Sequence, residues 1–202
     1  MSLLDLLKSE AVRRGLAQPD VDLKAADVFY LVRDMPYHRA SDRLPETIIN
    51  EWRGTCSGKH YLLQALLAEL GLSSQVIACT TTTPIDSELI PEELQALYEE
   101  ANCRFVDVHN YLILEVPQGG CMIVDATWPL SARQAGRVSN ETFVFGEDQK
   151  TAAEPIENWV IPEGRDPQDF KAELLSNHFT PAELEFREII IQATSQETRQ
   201  DS

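Results

Sequence analysis

One segment, residues 56–70, constrains the fold of this chain more than any other. It reads CSGKHYLLQALLAEL, and its leucines recur at the i, i+3 and i+4 spacing that is typical of a helix with one apolar side. Gly71 follows at the position where helices commonly end. The apolar side must pack against other elements, so we expect other parts of the chain to cover it. The leucines on this side are Leu62, Leu63, Leu66, Leu67 and Leu70.

The segments around this helix predict an α+β fold, in which helices come first, strands follow and helices return. Amphipathic spacing or a helix-starting proline predicts further helices over 3–12, 26–34, 45–52, 91–101, 167–176 and 181–193. Alternating or β-branched runs predict strands over 73–83, 105–116, 121–126, 141–145 and 156–161. The PQGG sequence predicts a hairpin turn, and we expect the residue 56–70 helix to pack on the antiparallel sheet that contains this hairpin.

The length of 202 residues suits one domain, and no internal repeat or low-complexity tract stands out. We therefore expect a single domain over residues 1–194, with its core at 21–130 and a C-terminal helical part at 166–194. The polar residues 195–202 are expected to form a disordered tail.

The charge of the chain argues against several classes of partner. Its 33 acidic and 17 basic residues give a net charge of −16, and the sequence shows no local basic patch. Phosphate backbones and anionic membranes repel such a chain, so neither nucleic acid nor a membrane is an expected partner. No secretory signal is evident and the four cysteines show no CxxC spacing, so we expect reduced thiols in a cytoplasmic protein. The sequence does not indicate an oligomeric state.

Cys56 stands at the start of the leucine-rich helix, within RGTCSGKH. Unpaired backbone N–H groups and the positive end of the helix dipole lower the pKa of a thiol at this position and favour the thiolate. Gly54 and Gly58 leave little bulk around the sulfur, so a substrate carbonyl has room to approach. The alternative is a small core residue, which is what most cysteines are, and the local sequence alone favours it.

Two further residues give Cys56 a chemical context. His109 lies in the middle of the predicted 105–116 strand, where a histidine is more often a satisfied polar residue than a base. Asp125 ends the apolar run Met-Ile-Val, where an acid requires a partner or water. In the order Cys, His, Asp, the three residues describe a nucleophile, a general base and a carboxylate that holds the tautomer of the base.

The segments that carry these residues resemble the transglutaminase-like superfamily of Cys-His-Asp enzymes, whose layout is related to that of papain-like proteases. They are similar to its first helix and loop, its nucleophile helix, the following strand, its histidine strand and its aspartate strand. The resemblance spans residues 21–130, and small bacterial members are the most similar. The segments are AADVFYLVRDMPYHRASD, GTCSGKHYLLQALLAELGL, SSQVIACTT, VHNYLILEV and CMIVDATWP.

The resemblance implies a transglutaminase-like fold and a role for each residue. Cys56 matches the nucleophile, His109 the general base and Asp125 the acid that orients the base. In relatives the backbone N–H of the cysteine and a donor from the upstream loop hold the oxyanion. The candidates for that donor and for the cleft are Tyr37, His38 and Trp128.

The implied activity is acyl transfer at an amide or peptide carbonyl, as in a cysteine protease, an amidase or a transglutaminase. The thiolate attacks the carbonyl, the histidine protonates the leaving amine, and water or an amine resolves the thioester. The expected substrate is a peptide, a protein or a small amide, and no cofactor or metal is expected. A second hypothesis is a catalytically silent fold of the same type that serves as a protein-interaction or accessory module.

His60 lies one helical turn after Cys56 on the same side of the helix. It could complete a metal site with Cys56 and His109, or it could be the base. A base one turn deeper in a buried helix leaves no room for a substrate, and the other cysteines are spread over separate elements. We therefore predict that His60 is a packed core residue.

The proposed triad makes a demand on the hairpin register. Opposite residues of an antiparallel pair have numbers with a constant sum, and His109 and Asp125 share a face only if that sum is even. A tight four-residue PQGG turn would pair Val116 with Cys121 and give an odd sum. We therefore predict a five-residue connection or a bulge, with Glu115 opposite Cys121.

Overall fold

A computed structural model describes residues 1–162 and 164–197. In this part of the chain, seven helices are present: α1 (Leu3–Arg13), α2 (Ala25–Asp34), α3 (Pro45–Glu51), α4 (Cys56–Glu69), α5 (Gln95–Glu100), α6 (Pro167–His178) and α7 (Pro181–Glu197). Four strands form one antiparallel sheet in the order β3-β2-β1-β4: β1 (Ser74–Pro84), β2 (Arg104–Glu115), β3 (Cys121–Val124) and β4 (Glu157–Val160). The α+β expectation is confirmed. None of the helices in the described ranges has both the length and the apolar character needed to cross a bilayer.

The chain divides into two compact units, which we call unit 1 and unit 2. Unit 1 contains Met1–Ile77 and Asn110–Ala152, and unit 2 contains Ala78–His109 and the residues from Ala153 onward. Strands β1 and β2 each contribute residues to both units. The single domain predicted over residues 1–194 stays a prediction.

In unit 1, helix α4 is surrounded by α1, α2 and α3. Four of its predicted core leucines have no exposed surface, and Leu70 is half-buried. The first turn of α4 is also buried, from Cys56 to His60, so this end of the helix is enclosed on more than its leucine side. Burial of four leucine side chains contributes on the order of 1.5–3 kcal/mol each, which makes α4 the centre of this unit.

The hairpin of β2 and β3 has the predicted register. Glu115 lies opposite Cys121, and the pairs continue to Leu112 opposite Val124. Five residues, 116–120, connect the strands, and the turn closes through a 2.9 Å bond from the Val116 N–H to the Gly120 carbonyl. Gly119 and Gly120 have φ values of +97° and +89°, which are accessible to glycine and disfavoured for other residues.

Two strand predictions near this hairpin were wrong in extent. The strand predicted over 121–126 is shorter in the structure: β3 ends at Val124, so Asp125 and the next residue lie beyond it. The predicted strand at 141–145 is absent, since the described chain is irregular there. Side chains take the backbone groups that a sheet would use: Gln149 Oε1 accepts from the Asp125 N–H, and Gln149 Nε2 donates to the Thr142 carbonyl.

Two helical predictions also change. The predicted helix over 91–101 is a 3₁₀ turn, Glu92–Leu94, followed by the short helix α5. Helix α7 extends to Glu197, so the predicted disordered tail begins too early. Residues 198–202 of that tail lie outside the described residues.

Unit 2 is built on two apolar clusters. One joins Ala78 and Val108 of the sheet to Leu174 of α6. The other places Phe186 of α7 against buried residues of the 90–101 segment, including Tyr98, whose hydroxyl donates to the Ile85 carbonyl at 2.7 Å. Both helices therefore have their apolar residues covered within this unit.

An ion-pair cluster anchors β2 to α6 and α7 in unit 2. Asp107 accepts from Arg187 Nη2 at 2.7 Å and lies 3.3 Å from Lys171 Nζ. Lys171 also donates to the Val108 carbonyl. Burial opposes ionisation of Asp107, but Lys171 and Arg187 outweigh it and hold the pKa of this carboxyl below its usual value.

Asp107→Asn should lower the free energy of unfolding by about 2–3 kcal/mol, because Lys171 loses its counter-charge and Arg187 keeps only that of Glu188. This loss is at or below the low end of the roughly 3–5 kcal/mol that is typical of breaking a buried ion pair, because the Asp107 side chain is 19% exposed. Urea unfolding at pH 7 measures the loss, with Asp20→Asn, in an exposed turn, as the control. A loss no larger than that of the control would contradict a stabilising role for the cluster.

Candidate functional site

Cys56 is the first residue of α4, as the sequence predicts. The preceding residue, Thr55, has an extended backbone, and its side chain makes no capping hydrogen bond to the helix. No acidic residue lies in the first turn. Backbone N–H groups at a helix start have no partner within the helix, so they can stabilise negative charge at the thiol or at a nearby oxyanion. The Cys56 residue is 3% exposed.

The loop before Cys56 is held against the segment that follows α2. Trp52 ends α3 in the left-handed region at φ +53°, and the chain then turns so that Gly54 pairs with Tyr37 in a parallel bridge. The Gly54 N–H donates to the Pro36 carbonyl at 3.2 Å, and the His38 N–H donates to the Gly54 carbonyl at 3.3 Å. The bridge thus places the predicted cleft residues Tyr37 and His38 beside the loop that leads to the cysteine.

A polar contact joins the start of α4 to β2 within unit 1. Ser57 Oγ donates to Asn110 Oδ1 at 2.8 Å, and Asn110 Nδ2 donates to the Ile77 carbonyl of β1 at 3.3 Å. Asn110 has no exposed surface and Ser57 is 2% exposed. The Ser57 side chain, next to Cys56 in the chain, is therefore fixed by Asn110.

His60 is a fully buried core residue, which confirms the prediction. Its Nε2 accepts a hydrogen bond from the Ala126 N–H at 2.9 Å, so the proton of the neutral ring is on Nδ1, and Nδ1 donates to the Cys56 carbonyl at 2.7 Å. Asp125 Oδ1 lies 3.6 Å from Nε2, too far for a hydrogen bond. His60 therefore connects the first turn of α4 to the segment after β3 by binding the backbone of both.

Asp125 lies just after β3 and is 3% exposed. Its Oδ1 accepts from the Thr127 N–H at 2.9 Å, and its Oδ2 accepts from the Ala152 N–H at 2.7 Å. Its own backbone carbonyl accepts from Asn140 Nδ2 at 2.9 Å. Two N–H donors on a buried carboxylate favour its charged form, so the site holds a fixed negative group.

Lys59 is the functional candidate that the sequence analysis missed. Its side chain has no exposed surface, and its Nζ donates to the Arg33 carbonyl in the last turn of α2 and to the Thr127 carbonyl after β3, both at 2.9 Å. The sequence contains a signal for it, because a lysine occurs three residues after Cys56 and four before Leu63, within an otherwise apolar helix side.

Burial lowers the pKa of Lys59 to about 7, because a low-dielectric environment disfavours the ammonium. The carboxylates of Asp34 and Asp125 act in the opposite direction and favour the charged form, as does Cys56, while Arg33 disfavours it. A change of charge at Lys59 near neutral pH would therefore alter the field at both Cys56 and Asp125.

His109 belongs to unit 2 and is described there by itself. It lies within β2 and is 5% exposed. The alternation of buried and exposed side chains expected for this strand is lost over residues 108–112, because all five are buried. The neighbouring Asp107 and Val108 are held by α6 and α7, so the backbone on one side of His109 is anchored by an ion-pair cluster.

Trp128 lies three residues after Asp125 and is half-buried. Its ring packs against Tyr37, with centroids 4.1 Å apart and planes inclined by 30°. The Trp128 carbonyl accepts from Ser139 Oγ at 2.8 Å. Two of the three predicted cleft residues are thus in direct contact.

Unit 1 brings together Cys56, Asp125, Tyr37 and Trp128 through the contacts of His60, Lys59 and Gly54. The other cysteines lie apart: Cys79 is buried in β1, and Cys103 and Cys121 are exposed. Among the described residues, no group of three or more His, Cys, Asp or Glu side chains could hold a metal ion.

Comparison of the chain with protein-family models, with curated proteins and with solved structures found no match. A functional assignment therefore depends on the chemistry of these residues, and the transglutaminase-like resemblance stays a hypothesis.

Replacing Lys59 tests the burial of its charge. Between about pH 7 and its ordinary pKa of 10.5, the unfolded chain holds a proton at Lys59 that the folded protein has lost, so the stability contributed by Lys59 rises with pH. Relative to Lys59→Met, the free energy of unfolding of the native chain should therefore increase from pH 7 to pH 10, by at least ~1 kcal/mol. Below the folded pKa the difference should be constant.

Urea unfolding of both proteins across this pH range is the measurement. Lys150→Met, which removes an exposed lysine, is the control and should give a curve parallel to that of the native chain. If the Lys59→Met curve is also parallel, the Lys59 ammonium is not deprotonated in the folded protein near neutral pH.

Proposed function

We propose that the protein is a thiol-dependent acyl-transfer enzyme that acts on an amide or peptide carbonyl through Cys56, His109 and Asp125. The observation that carries the proposal is the position of Cys56 as the first residue of a fourteen-residue helix whose start has no side-chain cap. The helix dipole and the unpaired N–H groups favour a thiolate there. The proposal includes a transglutaminase-like fold, as the order of the segments suggests.

Asp125 supports the proposal from the other end of the triad. An acid that orients a histidine must itself be fixed and charged, and the Thr127 and Ala152 N–H groups meet both conditions. The hairpin register is the one that the proposal requires, because Glu115 opposite Cys121 gives an even sum. The paired residues end at Leu112 and Val124, so Asp125 lies just beyond them.

In the proposed reaction, Cys56 Sγ forms a bond to the substrate carbonyl carbon and the carbonyl oxygen becomes an oxyanion. The Cys56 N–H and a donor from the loop that carries Tyr37 bind the oxyanion. His109 gives a proton to the leaving amine as the C–N bond breaks, which leaves a thioester. Water or an amine then attacks the thioester, His109 accepts its proton, and the Cys56 thiolate is released.

The alternative is a catalytically silent fold of the same type that serves as a protein-interaction or accessory module. The low exposure of Cys56, 3%, favours this alternative, because structural cysteines are buried and inert. The two functions require different reactivities of the Cys56 thiol. The other three cysteines of the chain serve as references for that reactivity.

Alkylation by iodoacetamide at pH 7, followed by peptide mapping with mass spectrometry, separates these functions. Cys79 is a matched buried thiol in the middle of a strand, and Cys103 and Cys121 are exposed references. The enzyme proposal predicts that Cys56 reacts at least ~10-fold faster than Cys103, since one pKa unit changes the thiolate fraction about tenfold. Reaction of Cys56 at the rate of Cys79, only as the chain unfolds, would refute the enzyme proposal.

His109→Asn should slow this alkylation of Cys56 about tenfold at pH 7, because the loss of a neighbouring imidazolium raises the pKa of the thiol. The rate should recover as the pH approaches 9, where the thiolate forms without help. The pH profile of the Cys56 rate is the measurement, and His178→Asn, at an exposed histidine, is the control. An unchanged profile in His109→Asn would remove His109 from the site.

A further inference from the structure

Three arginines of unit 1 have no carboxylate partner among the residues that the structure describes. Within the described ranges, each of the other arginines has a carboxylate oxygen within 4.0 Å of its guanidinium. Acidic residues outnumber basic ones 33 to 17, so an arginine has many potential partners in this chain. Two of the three lie close together in sequence, in the loop after α2. The three arginines are Arg39, Arg43 and Arg137.

Arg137 is nevertheless held in place. Its guanidinium carbon lies over the Trp128 ring, 4.8 Å from the centroid, and Trp128 packs in turn against Tyr37. A cation–π contact fixes a guanidinium without neutralising its charge. Its N–H donors form a planar fork that matches the two oxygens of a carboxylate, and no side chain of the described residues uses that fork.

The stack of Arg137, Trp128 and Tyr37 is attached to both parts of the candidate site in unit 1. Tyr37 pairs with Gly54, two residues before Cys56. Trp128 follows Thr127, whose carbonyl binds Lys59 and whose N–H binds Asp125. The loop after α2 that begins at Tyr37 also carries Arg39 and Arg43, together with Asp42.

The carboxylates of the same segments are already engaged. Asp34 binds Arg33 and the Leu130 N–H, and Glu51 binds Arg53 and Ser41. Glu141 binds Arg133. Asp42, which lies between Arg39 and Arg43 in sequence, accepts from the Leu44 N–H at 2.8 Å. Within the described residues, none of these carboxylates forms an ion pair with Arg39, Arg43 or Arg137, so an added anion would displace no carboxylate from these guanidinium groups.

From this arrangement we infer that the stack of Tyr37, Trp128 and Arg137 is a subsite for a substrate carboxylate. The inference rests on the proposed function and names its substrate class: an amide or peptide that carries a carboxylate near the scissile bond. The carboxylate binds the Arg137 fork, which the Trp128 ring holds in place. Both a C-terminal carboxylate and an acidic side chain supply this chemistry.

Two alkylating reagents with the same leaving group and different charge test the subsite. Iodoacetate carries a carboxylate and iodoacetamide is neutral, and both react with the Cys56 thiolate, so a change in the pKa of the thiol cancels in the ratio of their rates. Arg137→Gln should lower the iodoacetate-to-iodoacetamide ratio at Cys56 about threefold, the effect of one unit charge over a distance on the order of 7 Å in water. Salt should weaken the native preference.

Arg133→Gln is the matched control. It removes the same charge four residues before Arg137, and Arg133 is already paired with Glu141. It should leave the ratio at Cys56 unchanged, and the exposed Cys121 should show no response to either substitution. An unchanged ratio in Arg137→Gln, or an equal fall in Arg133→Gln, overturns the subsite. If Cys56 reacts with neither reagent, the proposed function fails and the subsite fails with it.

Protection of Cys56 from iodoacetamide distinguishes the two sources of the carboxylate. The probes are acetyl-Gln-Gly with a free C-terminus, the same peptide as its C-terminal amide, and acetyl-Glu-Gly amide. Stronger protection by the first than by the second assigns a C-terminal carboxylate, and stronger protection by the third assigns an acidic side chain. Equal protection by all three overturns the inference.

Discussion

One buried lysine side chain holds together the parts of unit 1 on which the candidate site depends. Lys59 extends from the helix that begins with Cys56, and its Nζ binds the carbonyl of Arg33 at the end of α2 and that of Thr127 after β3. The contact at α2 is favourable because the carbonyl end of a helix carries partial negative charge. Without the Lys59 amine, two carbonyls would lose a donor, at a cost of about 1–3 kcal/mol for each group that stays unsatisfied. The positions of Cys56 and Asp125 therefore share one support.

The sequence could predict those features that depend on periodicity and on short-range rules. The leucine spacing located α4, and the parity argument gave the pairing of Glu115 with Cys121. The end of β3 could not be predicted, because Gln149 and Asn140, which replace the sheet partners of Asp125, lie 24 and 15 residues away in the chain. No local pattern records such a bond between a side chain and a distant backbone.

The distribution of charge also differs between the sequence and the folded protein. The net charge of −16 suggests a chain that repels anions, and no window of the sequence is basic. In the part of the chain that the structure describes, most arginines pair with acids and three in unit 1 do not, two in one segment and one about a hundred residues later. Because Tyr37 packs on Trp128 and Trp128 on Arg137, these segments form a place where an anion meets positive charge. The net charge of the whole chain does not reveal this local positive charge.

The connection between β2 and β3 has a consequence for how this chain can vary in length. The five residues 116–120 lie at a surface turn with two glycines, where insertions are ordinarily tolerated. A longer connection that leaves Glu115 opposite Cys121 keeps every side chain of β3 on its present face. A change that instead shifts the pairing of β2 with β3 by one residue turns each of those side chains to the other face of the sheet. What this connection must preserve is therefore the pairing of the two strands rather than its own length.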